Sequence, residues 1–260
     1  MAPFTDNIVL FDLDGTLTPP RESIGQEVIT SLINLSEHTK IGVLSGSGYD
    51  YITEQLKSLF KVWNKELHIL GCNGTQYHTF DGLSKSFNTI NSASMKDLLR
   101  DDYKDLTRVI LENQLDIIDN YNIPLTGHYF SFRNSMVNWC PIGRSASISD
   151  RERFVELDSS EKIREYYLAK IQDAFAEKGL DHLTITLGGE TSFDIYPNGW
   201  DKTYALQFFE TVFFVGDRCE KTGNDFAICE ALRERCFKTS GPIDTVDIIN
   251  KVLIPILSNL

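Results

Sequence analysis

Short apolar runs that end on polar or glycine residues recur at both ends of the chain. They lie at residues 8–11, 41–44, 67–70 and 212–215. Continuous apolar runs rich in β-branched residues are typical of strands buried on both faces of a parallel sheet. Helical patterns at residues 27–35, 51–59 and 225–235 alternate with these runs. The pattern predicts a doubly wound α/β core with a parallel sheet, built from both ends of the chain.

The middle of the chain has a different pattern, in which two strand-like segments with partial alternation flank a helical one. Ser149 and Glu152 have the spacing of a capping box at the helix start, and Gly179 supplies a stop signal. This pattern predicts an α+β domain. The strand-like segments are 128–138 and 183–194, the helical segment is 149–178, and its apolar face comprises Ile163, Tyr167, Ile171 and Phe175.

Turn-forming residues mark the two ends of this middle domain. They are Asp81-Gly82 on one side and Pro197-Asn198-Gly199 on the other. The sequence therefore predicts a core made of residues 1–82 and 197–260 with an inserted cap at residues 83–196.

Composition narrows the classes of partner. With 260 residues, of which 42% are hydrophobic, the chain can bury a sizeable core. The formal net charge of −12 argues against nucleic acid or an anionic membrane as the main partner, because both attract basic surfaces. An anionic substrate would therefore need a local cluster of basic residues.

The five cysteines indicate neither a disulfide framework nor a zinc site, because their number is odd and no C-x-x-C pair occurs. A reducing compartment is expected. The first apolar run is short and no basic segment precedes it, so we expect no signal peptide and no membrane span. These features favour a cytoplasmic protein.

The strongest chemical signal is DLDGT at residues 12–16, which ends the first predicted strand. Ligands of open α/β sheets bind beyond the carboxyl ends of strands, so Asp12 and Asp14 are expected where substrate would lie. Two carboxylates there repel each other unless a cation such as Mg²⁺ offsets their charge. A carboxylate can also attack phosphorus and form an aspartyl phosphate. The alternative is a turn that Asp and Gly merely shape.

Two further segments offer groups that could bind a phosphoryl group. SGS at residues 45–47 follows the second predicted strand and presents hydroxyl and N–H groups near a helix start. Lys202 precedes a helix, where its ammonium could neutralise charge on a transferring group. The alternatives are an ordinary turn for Ser45 and Ser47 and a solvated surface position for Lys202.

Acidic residues also follow the last predicted strand. Asp217 ends this strand, and Asn224 and Asp225 follow in the next loop. Their side chains supply the hard oxygen ligands that Mg²⁺ prefers, so all three are candidate metal ligands. For Asp225 a role as a helix cap is the alternative.

In chain order, the nucleophile, hydroxyl, lysine and distal acids resemble the haloacid dehalogenase (HAD) superfamily. Longer segments spanning nearly the whole chain resemble those of eukaryotic-type phosphomannomutases. The resemblance implies a HAD-like Rossmannoid parallel-sheet core with an inserted α+β cap. The segments are FDLDGTLTPPR, FRNSMVNWCPIGRS, GGETSFDIYPNGWDKTYAL, and FFVGD followed by GND.

The resemblance also implies roles for the acidic residues. Asp12 is expected to be the nucleophile and Asp14 the general acid and base, with Lys202 in the catalytic site. The implied Mg²⁺ ligands are Asp12, the Asp14 carbonyl and Asp217. The family usually has glycine where Ser45 stands, so Ser47 is the better match for binding substrate.

The cap is expected to supply the basic cluster that an acidic protein needs for an anionic substrate. A guanidinium fork suits phosphate better than an ammonium does. An exposed surface face is the alternative role, and we expect it for Arg153. The positions that match the family's substrate-binding residues are Arg133, Arg144 and Arg151 for the distal phosphate, Arg21 on the core side, and Ser192 and Asp194 for sugar hydroxyls and phosphate.

The implied function is interconversion of mannose 6-phosphate and mannose 1-phosphate through an aspartyl phosphate and a hexose 1,6-bisphosphate, feeding GDP-mannose synthesis. Mg²⁺ and a hexose 1,6-bisphosphate activator are the implied cofactors. The sequence leaves open whether a second cation site exists, because Ala231 and Glu234 stand where the family often has an acidic residue and a threonine. A homodimer through the cap is expected from the resemblance and the aromatic run at residues 129–132. A strand buried within the cap's own core is the alternative explanation of this run.

Three other functions remain open at this point. A HAD-type sugar-phosphate phosphatase shares the first half-reaction, and phosphoglucomutase activity differs only in the recognition of one epimeric hydroxyl. A non-catalytic sugar-phosphate sensor would have little use for both Asp12 and Asp14.

Overall fold

The structure is a computed structural model that describes residues 7–221 and 223–258. The chain forms two compact units. The core unit comprises Met1–Ser92 and Gly199–Leu260, and the cap unit comprises Ala93–Asn198. A cap inserted into a two-part core was predicted from the pattern, and the structure has this arrangement.

The core unit contains one seven-stranded sheet in the described residues. Five neighbouring strands are parallel, in the order β11-β10-β1-β2-β3, and β4 and β5 extend the sheet in antiparallel fashion. This is the predicted doubly wound class. The strands are β1 (Asn7–Phe11), β2 (Lys40–Leu44), β3 (Glu66–Gly71), β4 (Gln76–Asp81), β5 (Ser86–Ser92), β10 (Thr211–Gly216) and β11 (Cys236–Lys238).

Strand β1 lies between two other strands, and apolar side chains cover both faces of the sheet at this position. Val9 and Phe11 enter one apolar cluster, and Ile8 and Leu10 enter another on the opposite face. Each fully buried side chain of this kind contributes about 1.5–3 kcal/mol. The central strand therefore holds the residue that follows it, Asp12, in a fixed place at the carboxyl edge of the sheet.

Helices cover both faces of the core sheet. α1 packs its apolar residues into the cluster of Val9 and Phe11, while α8 contributes to the cluster of Ile8 and Leu10. A π-helical segment (Ile249–Leu253) joins α9 to α10. The core helices are α1 (Gln26–Leu35), α2 (Tyr49–Gln55), α3 (Lys57–Val62), α8 (Phe226–Leu232), α9 (Pro242–Ile248) and α10 (Ile254–Leu257).

The cap unit combines a four-stranded antiparallel sheet, in the order β6-β7-β9-β8, with helices. The predicted apolar face of α7 is buried at each of its four residues. The cap elements are α4 (Met95–Leu99), α5 (Asp102–Asn120), β6 (Phe130–Phe132), β7 (Val137–Trp139), α6 (Ile148–Glu161), α7 (Ile163–Glu177), β8 (Leu183–Gly188) and β9 (Ser192–Pro197).

The predicted start of the cap at residue 83 is too early, and its predicted end at 196 falls two residues before Asn198. Residues 86–92 form β5, which pairs antiparallel with β4 in the core sheet, so the core continues to Ser92. The turn at Asp81-Gly82 is therefore a hairpin turn within the core and not a linker between units.

The single helix predicted at residues 149–178 is two helices, because Lys162 adopts a left-handed conformation (φ 55°) between α6 and α7. The capping box joins Ser147 and Asp150, and the predicted box of Ser149 and Glu152 is wrong. The same sequence contains both spacings, and the pattern alone did not distinguish them. The helix predicted at 225–235 ends at Leu232.

The structure joins Cys229 and Cys236 in a disulfide, against the expectation from the sequence. The two residues lie on α8 and at the start of β11, which are neighbours in the core. Within residues 7–221 and 223–258, no helix combines the length and apolar character needed to cross a membrane.

Candidate active site

The predicted acidic residues meet at the carboxyl edge of the core sheet because β1 and β10 are parallel neighbours. Phe11 is paired with Val215 in register, and the Asp12 N–H donates to the Val215 carbonyl at 2.9 Å. Asp217 lies just beyond the end of β10. Two loops that are far apart in sequence thus place their carboxylates side by side, as expected at the ligand-binding edge of such a sheet.

Lys202 is completely buried and pairs with two carboxylates. Its ammonium Nζ lies 2.6 Å from Asp12 Oδ1 and also donates a short hydrogen bond to Asp225 Oδ1. The other oxygen of Asp225 accepts a hydrogen bond from the Arg218 N–H at 3.1 Å. The solvated alternative for Lys202 is therefore wrong. A buried ammonium held between two acids supplies a fixed positive charge beside Asp12.

Burial and ion pairing have opposite effects on the pKa values of this cluster. Desolvation raises the pKa of Asp12 to about 7, against the lowering effect of Lys202. Burial alone would lower the pKa of Lys202, but the carboxylates of Asp12 and Asp225 outweigh it and raise that pKa. Lys202 therefore stays charged, and any additional positive charge at the site favours the ionised form of Asp12.

The carboxylates of Asp12, Asp217 and Asp225 fit a divalent cation. One oxygen from each lies within 4.8 Å of the others. Asp217 Oδ1 is buried without a hydrogen-bond partner among the described residues, and burial raises the pKa of Asp217. A Cβ at Gly15 would collide with the Asp217 carboxylate, so glycine is needed for this close approach. A hard cation would satisfy the orphaned oxygen and offset the crowded charge.

The carboxylate of Asp14 is held by three donors on one oxygen. Its Oδ1 accepts hydrogen bonds from the Arg21 N–H at 2.9 Å, the Tyr51 hydroxyl at 3.0 Å and the Gln55 amide at 3.2 Å. The Thr18 hydroxyl donates to Gln55 Oε1 at 2.7 Å, which directs the Gln55 amide N–H groups towards Asp14. These bonds fix Oδ1 and leave Oδ2 for other contacts.

Tyr51 is expected to position Asp14. Burial and the Asp14 charge raise the pKa of Tyr51 to about 12, so its hydroxyl stays a donor. We predict that Tyr51→Phe lowers kcat about 10-fold and leaves KM nearly unchanged, because one of three bonds to a charged group is lost. Tyr49→Phe, on the same helix, is the control. Equal effects of the two changes in steady-state kinetics would show that Tyr51 does not position Asp14.

Other predicted residues of the core have different surroundings. The Ser45 hydroxyl accepts a hydrogen bond from the Ser47 N–H at 3.1 Å, so the SGS segment is a closed turn beyond β2. Arg21 contributes its backbone N–H to Asp14, and its side chain is exposed. Asn224 is exposed on the loop before α8. Substrate binding by Ser47 and Arg21 and metal binding by Asn224 stay predictions.

The cap unit holds a separate polar cluster on its sheet. Asn138 lies opposite Asp194 across β7 and β9, and its amide donates to Asp194 Oδ1 at 2.7 Å. Arg144 Nη1 donates to Asn138 Oδ1 at 2.6 Å, and Arg151 Nη1 donates to Thr191 Oγ1 at 3.1 Å. Hydrogen bonds through Asn138 and Thr191 thus orient the two arginines at one end of the sheet.

The three predicted arginines of the cap act on one another electrostatically. Burial lowers the pKa of Arg144, and the charges of Arg133 and Arg151 lower it further. Burial raises the pKa of Asp194, while Asn138 and the arginines oppose this. Ser192 lies two residues before Asp194 on β9, so the two side chains are on the same face of the strand. The cap unit of this acidic protein thus contains a local cluster of basic residues, and its binding of an anionic substrate stays a prediction.

Four contributors were missed by the sequence reasoning. Tyr51 and Gln55 are four residues apart on α2 and therefore share one helix face, which is a signal that could have identified them. Asn138 and Thr191 stand inside the segments that carry the family resemblance. Nothing local marked their roles, because each depends on pairing between distant residues.

The fold and the carboxylate site define a HAD-like α/β phosphotransferase. N-terminal truncated IMP-nucleotidase from Plasmodium falciparum shares the fold with a TM-score of 0.65 and 12% identity, covering 95% of this chain and 70% of that one. A trehalose-6-phosphate phosphatase related protein has a TM-score of 0.53 and 14% identity, covering 97% and 100%.

The chain belongs to the eukaryotic phosphomannomutase family, whose model matches residues 28–255. It is 37% identical to phosphomannomutase 1 of Homo sapiens over 255 residues, or 95% of this chain and 92% of the relative. It is 36% identical to a phosphomannomutase of Arabidopsis thaliana over 243 residues, or 92% and 93%. The match to the family model begins after Asp12. The placement of Asp12 in the candidate site therefore depends on the geometry of the core and not on this match.

Proposed function

We propose that this protein is a Mg²⁺-dependent phosphomannomutase that interconverts mannose 6-phosphate and mannose 1-phosphate and so feeds GDP-mannose synthesis. The observation that carries the proposal is the buried Asp12 carboxylate, which pairs with Lys202 and has an oxygen within 4.8 Å of an Asp217 carboxylate oxygen, in a chain of this family. Nucleophile, fixed positive charge and cation ligands thus occur at one edge of the sheet.

Asp12 is the nucleophile in this proposal. In the phosphoenzyme its carboxylate carries the phosphoryl group, which passes to the free hydroxyl of the hexose monophosphate while Asp14 takes the hydroxyl proton. The bisphosphate then reverses its orientation in the site. Asp12 accepts the other phosphoryl group, and Asp14 returns the proton to the leaving oxygen. Mg²⁺ bound by Asp12, Asp217 and the Asp14 carbonyl would neutralise charge on the phosphoryl oxygens. Lys202 contributes a second fixed positive charge.

The proposed role of the cap arginines is to hold the phosphate that is not reacting. A hexose 1,6-bisphosphate presents each of its phosphates to Asp12 in turn, so the other phosphate needs a binding site of its own. Arg133, Arg144 and Arg151 supply charge-assisted donors for it. A hexose 1,6-bisphosphate activator is needed to phosphorylate Asp12 at the start.

A pair of variants on α6 tests this role. We predict that Arg151→Ala lowers kcat/KM for mannose 1-phosphate by ~10–150-fold, since a charge-assisted contact to phosphate is worth about 1.5–3 kcal/mol. Hydrolysis of a small aryl phosphate, which has no distal phosphate, should change little. Arg153→Ala is the matched control and should leave both reactions unchanged, because the Arg153 side chain is exposed and donates to the Asn122 carbonyl at 3.4 Å.

Equal losses on both substrates in Arg151→Ala would mean that Arg151 supports the fold or the reacting phosphoryl group. The proposed phosphate-holding role of the cap would then be withdrawn. A phosphatase acting on small substrates would show little effect of Arg151→Ala on either reaction.

We also propose a homodimer through the cap. Phe132 on the edge strand β6 is 56% exposed, so its ring is accessible to a second copy of the chain. We predict a dimer mass in light scattering at micromolar concentration and a monomer mass for Phe132→Glu. Leu187→Glu on β8, the opposite edge of the same sheet, is the control. A monomer mass for the unaltered chain would remove the proposal.

A further inference from the structure

Three cysteine sulfurs meet beside the last parallel strands of the core. Cys219 lies in the loop after β10, Cys229 in α8 and Cys236 at the start of β11. Their Sγ atoms are all within 4.8 Å of one another, and each residue is partly exposed. The other two cysteines, Cys72 and Cys140, are buried elsewhere. Three separate elements thus bring three of the five cysteines to one place.

A third sulfur, that of Cys219, lies next to the disulfide. Cys229 and Cys236 are joined, yet the Cys219 Sγ lies 3.9 Å from the Cys236 Sγ. Two thiolates bound tetrahedrally to one zinc ion, each at ~2.3 Å, are about 3.8 Å apart. The separation of the Cys219 and Cys236 sulfurs is therefore compatible with two ligands of one shared ion.

The sulfur cluster differs in chemistry from the carboxylate cluster of Asp12, Asp217 and Asp225. Thiolates favour borderline and soft cations such as Zn²⁺, whereas carboxylates favour Mg²⁺. Partial exposure gives a cation access and allows water to supply a fourth ligand. The two clusters can therefore bind different cations in one chain.

We propose that Cys219, Cys229 and Cys236 form a Zn²⁺ site when the Cys229–Cys236 disulfide is reduced. A dithiol or phosphine reductant supplies two electrons, the S–S bond breaks, and two thiols form. Zn²⁺ then displaces one proton from each of the three thiols and binds the three thiolates. The spacing of these cysteines lacks the short pairs of common zinc motifs, so the sequence did not indicate the site.

Zinc at this site would tie three core elements together next to the active site. Cys219 is two residues from Asp217 on the same loop, and Cys229 is four residues from Asp225. Binding to the folded protein alone raises its stability, so the midpoint of thermal unfolding should rise with Zn²⁺ concentration.

The test uses the full chain, reduced with a phosphine and freed of metal. Co²⁺ serves as the spectroscopic probe, and Zn²⁺ affinity is measured by competition with a chromophoric chelator. We expect a thiolate-to-cobalt charge-transfer band that saturates at one sulfur-bound Co²⁺ per chain and that Zn²⁺ abolishes. Each of Cys219→Ser, Cys229→Ser and Cys236→Ser should weaken Zn²⁺ binding by more than about 100-fold, since losing even a supporting group costs ~10–100-fold.

Two control variants test whether the charge-transfer band depends specifically on the three clustered cysteines. Cys140→Ser, in the cap, and Asp217→Asn, in the carboxylate cluster, should both keep the charge-transfer band. Circular dichroism of each variant shows whether it folds. The proposal is overturned if reduced protein gives no band, if the disulfide resists reduction, or if Cys219→Ser binds Zn²⁺ as tightly as the unaltered chain. None of these outcomes bears on the proposed mutase reaction, which does not use the sulfurs.

Discussion

Asp12→Asn is expected to abolish turnover, with a loss of at least ~10⁴-fold in kcat, because an amide cannot attack phosphorus. Losing a catalytic nucleophile costs ~10⁶-fold in a well-studied hydrolase. Covalent labelling by a radiolabelled hexose 1,6-bisphosphate should disappear as well. The measurement is the radioactivity that stays bound to the protein after acid quenching. Hydroxylamine should release the label from the unaltered chain, as expected for an acyl phosphate.

The matched control for this change is Asp247→Asn. Asp247 is exposed on α9 and pairs with Lys251 at 2.9 Å on the surface, so labelling and turnover should be unchanged. Labelling of Asp12→Asn at the level of the unaltered chain would place the nucleophile at another residue and refute the role of Asp12.

Lys202→Met is expected to cost about 3–5 kcal/mol in the free energy of unfolding and to remove most activity. Its ammonium is the partner of two buried carboxylates, Asp12 and Asp225, so methionine would leave both unpaired in the interior. Breaking a buried ion pair from one side typically has this cost, because a buried charge loses its compensation. Denaturant unfolding in the absence of Mg²⁺ measures the change.

Lys238→Met provides the comparison for Lys202→Met. Lys238 pairs with Glu220 at 2.9 Å, but both side chains are more than half exposed. Exposed pairs contribute little to stability, so this variant should unfold almost as the unaltered chain does. If Lys202→Met lost no more stability than Lys238→Met, the ion pairs of Lys202 would not stabilise the core.

The sequence predicted the parallel core, the inserted cap and the meeting of Asp12 with the acids after β10. These follow from apolar runs and from the rule that ligands bind beyond strand ends, both of which depend on local pattern. The start of the cap was wrong because β5 is exposed along most of its length and has no continuous apolar run. Its membership in the core sheet depends on pairing with β4, which is not visible in its own residues.

The side-chain network of the candidate site was only partly predictable. Lys202 was expected in the catalytic site, but its complete burial and its second partner, Asp225, depend on how distant segments pack. The donors to Asp14 were missed because a tyrosine and a glutamine on a helix have many possible roles. Their shared helix face indicates proximity to each other and does not indicate which carboxylate they contact.

The most direct test of the proposed reaction follows mannose 1-phosphate by phosphorus NMR with Mg²⁺ and a catalytic amount of glucose 1,6-bisphosphate. The spectrum resolves mannose 1-phosphate, mannose 6-phosphate and inorganic phosphate in one sample, and Asp12→Asn serves as the blank. A phosphomannomutase converts the first signal into the second with little release of phosphate. The opposite result is that inorganic phosphate accumulates while mannose 1-phosphate is consumed and no mannose 6-phosphate forms. This result would contradict the proposed function and indicate a phosphatase.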